Sequence, residues 1–420
     1  MAVDFTLLPE ETPAYNRAPS RRSVIVVFLV MVLAGATALL VLWPAQQSTQ
    51  TWKFWVSLAL FPIGIPAVLV MRWQSLHAGR RLDTEVHNDL VRQYRERVNG
   101  VAARPLALLG AAYRFSSDPE ENAVESLRTG RIRLVTRQPV ASAGDPVKAR
   151  WLSLPDVESV PGDQAADCGR QQALTRWLYE ALIDEMTEHI RLIPAKVDLV
   201  VHLCAARELG HQACADLWTT CWQQRRLRAM RCAAEDASCD LATLDGWLDQ
   251  IAGGNAREAR LIVATRLHLL LSESPPPGSA EAGAAVLLMP VELAQNHQLR
   301  YNATVHRPVR SLPAAAKDNL SHALRWGGVA PADVSQAWQT GMNAAQTGVF
   351  RVAASQLDLP LLPADLDTTV GHAGSAAPWL AIALAANALV GKDQNQLVLA
   401  GSGENVDIAV VRRTPHGVTT

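Results

Sequence analysis

The chain has 420 residues, 49% hydrophobic and 19% charged, with a formal net charge of −1, long enough for an anchor plus one large domain or two small ones. So balanced a charge excludes nucleic acid or acidic membranes as partners attracted by bulk electrostatics, and no direct nucleic-acid binding is expected. Partners have to be argued from local features.

Residues 1–23 form a polar leader. Val24 to Trp43 and Phe54 to Met71 carry no charged residue, and each run is about as long as a ~30 Å hydrocarbon core requires at ~1.5 Å rise per residue. Pro62, Gly64 and Pro66 in the second run weaken a soluble helix but are tolerated in a transmembrane one. Trp43, Trp52, Trp55 and Trp73 mark the ends, as interfacial aromatics do. Residues 24–73 therefore read as a transmembrane hairpin in a lipid bilayer. A cleaved signal peptide fits less well, because the first run is long and no small-residue cleavage pattern follows it.

Arg17, Arg21 and Arg22 precede the first span and Arg72, Arg80 and Arg81 follow the second, whereas the loop offers only Lys53. Both flanks are expected on the cytoplasmic side of a bacterial inner membrane, in a two-pass topology. The six cysteines, Cys168, Cys204, Cys214, Cys221, Cys232 and Cys239, are then expected as free thiols. The seven-residue spacings Cys214/Cys221 and Cys232/Cys239 suggest buried helix faces rather than a zinc site.

Residues 74–103 are strongly charged and predict a solvated helical stalk. From residue 104 to 413, short apolar runs alternate with amphipathic stretches: PLALLGAAYRF, TRWLYEALIDEMTEHI, VDLVVHLCA, a helix through Trp218 and Trp222, LATLDGWLDQIAGG, RLIVATRLHLLL and AAVLLMPVEL. A second set follows in a similar rhythm: LRYNATVHRP, the helical DNLSHALRWGG, DVSQAWQTGMNAAQ, the run GVFRVAAS, the apolar helix PWLAIALAANALVG, and a closing hairpin NQLVLAGSG with NVDIAVVRR. This is an α/β domain of two sets that could be related halves, ending in a loose tail at 414–420.

In this order the segments resemble the thiolase-like layered fold of ketoacyl synthases. LALLGAAYRF is similar to the family's first strand and turn, and SAEAGAAVLLMPVELAQ to its glycine turn, strand and helix start. TTVGHAGSAAPWLAIALAANAL resembles a Gly-His turn capping a small-residue helix, and LVLAGSGENVDIAVVRR the closing glycine-rich hairpin. The resemblance implies a cysteine nucleophile at a helix N-terminus and two histidines that stabilise a thioester oxyanion. His372 matches the second histidine, but LDTTVG before it lacks the expected lysine. The other histidine is expected in a His-Gly-Thr turn after a strand ending near Val352, where AASQLD stands. Cys232 or Cys239 aligns with the nucleophile without its Ala-Cys-Ser context, and GSGEN keeps only Gly401 and Gly403 of the hairpin signature.

The resulting expectation is a pseudoenzyme with a vestigial site and no cofactor or metal, since no phosphate loop, His-Glu-x-x-His or dinucleotide turn is present. Its architecture resembles companions of type VI secretion effectors: an immunity protein that neutralises a toxin, for example a nuclease, or an adaptor for a secretion-spike component. Acidic groups at Asp118, Glu120 and Glu121, or Asp156, Glu158 and Asp163, are the candidate toxin-facing charges. The alternatives are a membrane-associated acyl-transfer enzyme using Cys232 or Cys239 with His372, and a scaffold that homodimerises through a sheet edge.

Overall fold

The computed structural model describes residues 8–13, 20–44, 48–141, 145–154, 157, 159–204, 209–234, 240–252, 257–359, 363–389 and 394–414. They divide into two units, residues 4–98 and a second containing Asn99–Thr420.

The first unit is built on α1 (Arg21–Leu42) and α2 (Trp52–Ala102), which runs on into the second unit. Both helices are long and apolar enough to cross a membrane, with mean hydropathy 3.0 and 2.2 in their apolar windows. Their apolar side chains are largely exposed, which is costly in water and favourable in lipid. α2 passes through Pro62 and Pro66 without a break. Gly35 lets the two helices approach, since a Cβ there would lie 3.1 Å from Pro62 Cα. Leader residues lie along the charged half of α2. The Asn88 amide donates to Thr12 O at 2.9 Å and accepts from Thr12 N at 2.9 Å, and Arg95 Nε donates to Pro9 O at 2.9 Å.

The second unit begins with β1 (Leu106–Arg114), α3 (Val124–Arg128), the ribbon strands β2 (Thr136–Arg137) and β3 (Val147–Lys148), α4 (Gln164–Leu192) and β4 (Asp198–Cys204). It continues through α5 (His211–Gln224), β5 (Arg231–Ala234), α6 (Ala242–Ala252), β6 (Glu258–Arg266), β7 (Ala282–Pro290) and α7 (Val291–Asn296). The second set is β8 (Ala303–Val305), β9 (Val309–Ser311), α8 (Ala316–Gly327), β10 (Gln336–Thr340), α9 (Ala344–Gln356), β11 (Ala364–Asp365) and α10 (Leu366–Thr369). It closes with α11 (Ala377–Asn387), β12 (Asn395–Ser402) and β13 (Asn405–Arg413).

One sheet runs β11-β10-β12-β13-β8-β1-β7-β6-β4-β5, with β9 paired to β13. Leaving β9 and the ribbon aside, each set contributes five strands in the same spatial order: third, second, fourth, fifth, first. In each, the fifth strand, β7 or β13, is antiparallel to both neighbours, and the others pair in parallel. The two sets are thus the same topological unit used twice, joined where β1 meets β8.

The period of two in β1 sends Leu106 and Leu108 into one core cluster and Ala107 and Leu109 into the other. β7 does the same with Ala284, Val286 and Leu288 against Ala285, Leu287 and Met289, and is buried throughout. One cluster packs under α6 and α11, the other under α4 and α5. α11, apolar on all sides, is buried from Ala377 to Ala385, as a helix covered on every face must be.

Two expectations need correction. GVFRVAAS is helical, lying in α9, and the strand of that region is Gln336–Thr340. Asn343 accepts from Gln346 N while Gln346 returns a bond to Asn343 N, and this capping box starts a helix that outweighs the β-propensity of Val349, Phe350 and Val352. Nor are all six cysteines free, since Cys204 at the end of β4 is disulfide-bonded. Cys214 and Cys221 are buried thiols on α5, Cys168 is an exposed thiol, and Cys232 is on a strand, not a helix face.

Candidate functional site

β10 ends at Thr340, and the chain turns at Gly341 with φ +67°. β12 crosses this turn so closely that a Cβ on Gly401 would lie 1.9 Å from Gly341 O. A Cβ on Gly341 would meet His372 Cε1 at 3.3 Å. Gly371 has φ +105°, and a side chain there would collide with Ser279 O at 2.8 Å. Only glycine fits positions that combine such φ values with backbone contact. His372, next in sequence, is fixed by its main chain: its N–H donates to Gly278 O at 2.8 Å and its carbonyl accepts from Ala280 N at 3.0 Å. Its imidazole is half exposed, at 47%.

The group that the imidazole faces is Asp367 of α10, whose Oδ1 lies 3.5 Å from His372 Nδ1. The same carboxylate accepts from Thr340 Oγ1 at 2.7 Å and from the Gly341 N–H at 2.6 Å. Burial works to raise the Asp367 carboxyl, but His372, the Thr340 hydroxyl and the Gly341 N–H outweigh it and hold it below the ordinary carboxylate value. Asp367 is therefore ionised at neutral pH.

The glycine-rich hairpin turns at Gly403, φ +61°, whose carbonyl accepts from Gln346 Nε2 at 3.0 Å. Beside it, Ser402 Oγ donates to Asp240 at 3.3 Å, and Arg310 bridges Asp240 and Asp407, binding Asp407 at 2.7 and 2.8 Å. Asp240 lies two residues before the start of α6, and its main-chain carbonyl accepts the Thr243 N–H. Cys239 lies outside the described residues. Cys232 stands opposite Val201 in β5, not at a helix N-terminus, and burial pushes its thiol up, which lowers its thiolate fraction.

His372 and Gly401 thus converge with Gly341, Thr340 and Asp367, none of the last three being evident from sequence, whereas Gly403 contacts Gln346 at the tip of the hairpin. The turn that follows a strand as the His-Gly-Thr turn should is Thr340-Gly341-Met342, with the glycine kept and a threonine before it. Asp367 is the charged residue that LDTTVG supplies where the resemblance expects a lysine. Among the described residues no three His, Cys, Asp or Glu side chains are grouped to hold a metal.

No protein-family model and no curated relative matches the chain. Among solved structures it is similar to the ishigamide ketosynthase/chain length factor, at 17% identity and TM-score 0.51, covering 74% of this chain and 100% of that one. It is also similar to the PfaC keto synthase-chain length factor, at 11% identity and TM-score 0.53, covering 74% of this chain and 43% of that one. The domain has a thiolase-like fold, a mixed α/β architecture shared with ketosynthases, preceded by two long apolar helices. The type VI immunity or adaptor expectation is corrected by these matches, which are to ketosynthase and chain length factor structures and not to immunity or adaptor proteins. The acids invoked for toxin binding also have internal uses: Glu121 pairs with Arg150 at 3.0 Å, Asp118 caps its own turn at Glu120 N, and Asp163 caps α4. Asp156 and Glu158 lie outside the described residues.

Proposed function

We propose that the protein is a membrane-anchored, ketosynthase-like subunit of an acyl-chain-building assembly, which accompanies a condensing synthase and does not itself condense. The observation that carries this is Asp367. Acyl transfer from a thioester develops an oxyanion that must be met by hydrogen-bond donors. Here the Gly341 N–H, the Thr340 hydroxyl and His372 Nδ1 all converge on a fixed carboxylate. A second negative charge ~4 Å from it costs about 4 kcal/mol at an effective dielectric of ~20, roughly three orders of magnitude in rate. The names of the two matching structures pair a ketosynthase with a chain length factor, and this chain fits the accompanying role.

The leader contact at Asn88 supports a hairpin whose two flanks share one side of the membrane, the side that the arginine count makes cytoplasmic. The Cys204 disulfide is the feature that a reducing compartment has to accommodate.

The test is intact-mass spectrometry of the full-length protein in nanodiscs after incubation with acyl thioesters. No covalent adduct is expected from the protein alone. An acyl adduct on Cys232 or Cys239 that turns over would refute the non-condensing role and restore an enzyme.

A further inference from the structure

The charge of Asp367 decides which chemistry is left to the pocket. A fixed carboxylate opposes an oxyanion held by the donors around it, and by the same Coulomb attraction it favours a cation formed beside it. A protonated imidazole is such a cation. His372 turns Nδ1 to Asp367 Oδ1 at 3.5 Å, which selects the tautomer with the proton on Nδ1 and the lone pair on Nε2. Nε2 has no hydrogen-bond partner among the described residues, and the ring is half exposed. The Nδ1 to Oδ1 separation is long for a hydrogen bond, as such pairs often are before substrate tightens them.

Arg266, the last residue of β6, supplies a second and independent observation. Its stem packs on Gly374, two residues after His372: a Cβ at Gly374, where φ is +52°, would lie 3.1 Å from Arg266 Cδ and 3.3 Å from Nε. The side chain is partly exposed and makes no ion pair or hydrogen bond among the described residues. Neighbouring arginines are committed elsewhere: Arg150 pairs with Glu121 at 3.0 Å, Arg170 with Glu281 at 2.6 Å and Arg310 with Asp407 at 2.7 Å. One short turn therefore carries an imidazole with an open Nε2, a carboxylate behind it and an uncommitted guanidinium two residues on.

We propose that His372 is a general base for the hydrolysis of an acyl thioester, with Asp367 as its positioning residue and Arg266 as the cation that meets the carbonyl oxygen. This goes beyond the accompanying role and takes only its substrate class from that reading. Nε2 removes a proton from a water molecule as the water oxygen adds to the thioester carbon. The oxyanion then forms on the Nε2 side of the ring, next to Arg266 and with the imidazole between it and Asp367, while the imidazolium is held by the Asp367 carboxylate. Collapse breaks the carbon–sulfur bond, and the imidazolium returns its proton to the leaving thiolate. One thioester and one water become a carboxylic acid and a thiol, with no redox change and no covalent intermediate on the protein. Within an acyl-chain-building assembly the step releases a chain as its free acid.

The experiment follows thiol release from hexanoyl-coenzyme A and palmitoyl-coenzyme A by the full-length protein in nanodiscs. The wild type should release thiol from at least one of the two, more slowly in heavy water, as proton transfer in the transition state requires. His372→Gln should lower kcat roughly a hundredfold or more. Asp367→Asn keeps an oxygen for the Gly341 N–H but turns an amide N–H towards Nδ1, which drives the ring proton onto Nε2. Its kcat should fall roughly tenfold or more with KM unchanged, a split that mere loosening of the turn would not give. Arg266→Met keeps the packing on Gly374 and should also lower kcat roughly tenfold or more. His372 and Arg266 are partly exposed, so their variants should keep the wild-type melting temperature. No thiol release by the wild type above the buffer rate, release unaltered in His372→Gln, or release abolished in Cys232→Ala would overturn the proposal. An acyl adduct that turns over on a cysteine refutes the non-condensing role, whereas absent hydrolysis refutes the base and leaves that role standing.

Discussion

Replacing Arg307 by Met should loosen the joint, inside the second unit, between the segment around Ala102 and α6. The guanidinium is 1% exposed; it donates to Ala102 O at 3.1 Å and pairs with Asp245 at 2.5 Å and Asp249 at 2.9 Å. One side chain thus holds the last turn of α2 and the first turns of α6. Methionine fills the volume but takes the guanidinium away from both carboxylates and the Arg307 donor away from the Ala102 carbonyl. Breaking a buried pair costs about 3–5 kcal/mol. Asp245 and Asp249 are 18% and 49% exposed, so they recover hydration and the lower end, about 3 kcal/mol, applies. With ~2.1 cal/mol/K of unfolding entropy per residue over the roughly 320 residues of the second unit, this is a fall of about 4–5 °C in Tm. Differential scanning fluorimetry of the full-length protein in detergent reads the shift, and hydrogen exchange should rise first around Ala102. A fall of under ~1 °C with unaltered exchange would mean that the pair contributes nothing net and the joint is held by packing alone.

His306 makes stability pH-dependent. Burial lowers it to about 4, with bonds to the Trp326 and Ala103 backbone opposing and Arg412 assisting; the native state binds this proton less readily than the unfolded one. Its contribution is complete above ~6.5 and is lost as pH falls towards 4, by about 3 kcal/mol. His306→Gln should flatten that part of the stability profile, and an unchanged acid limb would refute the assignment. For topology, a reporter fused after Thr420 should behave as cytoplasmic. A periplasmic signal, with Cys204 resistant to alkylation before reduction, would place the domain on the oxidising side.

Much of the fold was legible because it is written in local periodicity. β1 and β7 alternate between two cores, α11 is apolar on all sides, and α4 repeats its buried positions at Leu174, Leu178, Leu182 and Met186. The similar rhythm of the two sets pointed to related halves, and the shared strand order is its structural form. What misled was the stretch from Gly348 to Ser355, where β-branched and aromatic residues outweighed a capping signal five residues upstream. Reading α9 as a strand displaced the expected His-Gly-Thr turn by about a dozen residues and hid Thr340. Asp367 was in plain view in LDTTVG, but its role depends on Thr340 and Gly341, 27 and 26 residues away, and no local pattern carries such a pairing. The Cys204 disulfide was missed for a related reason: an argument from compartment says nothing about which cysteines the fold brings together.

The glycines and the side chains of the site answer to different constraints, and the difference bears on how each is read. Gly341, Gly371 and Gly401 are required wherever β10, β12 and the turn before His372 pass within backbone contact, because a Cβ at any of them meets a main-chain oxygen between 1.9 and 3.1 Å away. That requirement holds whether or not the pocket does chemistry, so retained glycines testify to the crossing of strands and to nothing more. Thr340 and Asp367 carry no such backbone obligation. A carboxylate placed where three donors converge stabilises the turn through charge-assisted hydrogen bonds, and the same bonds keep those donors from any other acceptor. The fold is kept by the first set of residues, and the engagement of the donors beside His372 is set by the second.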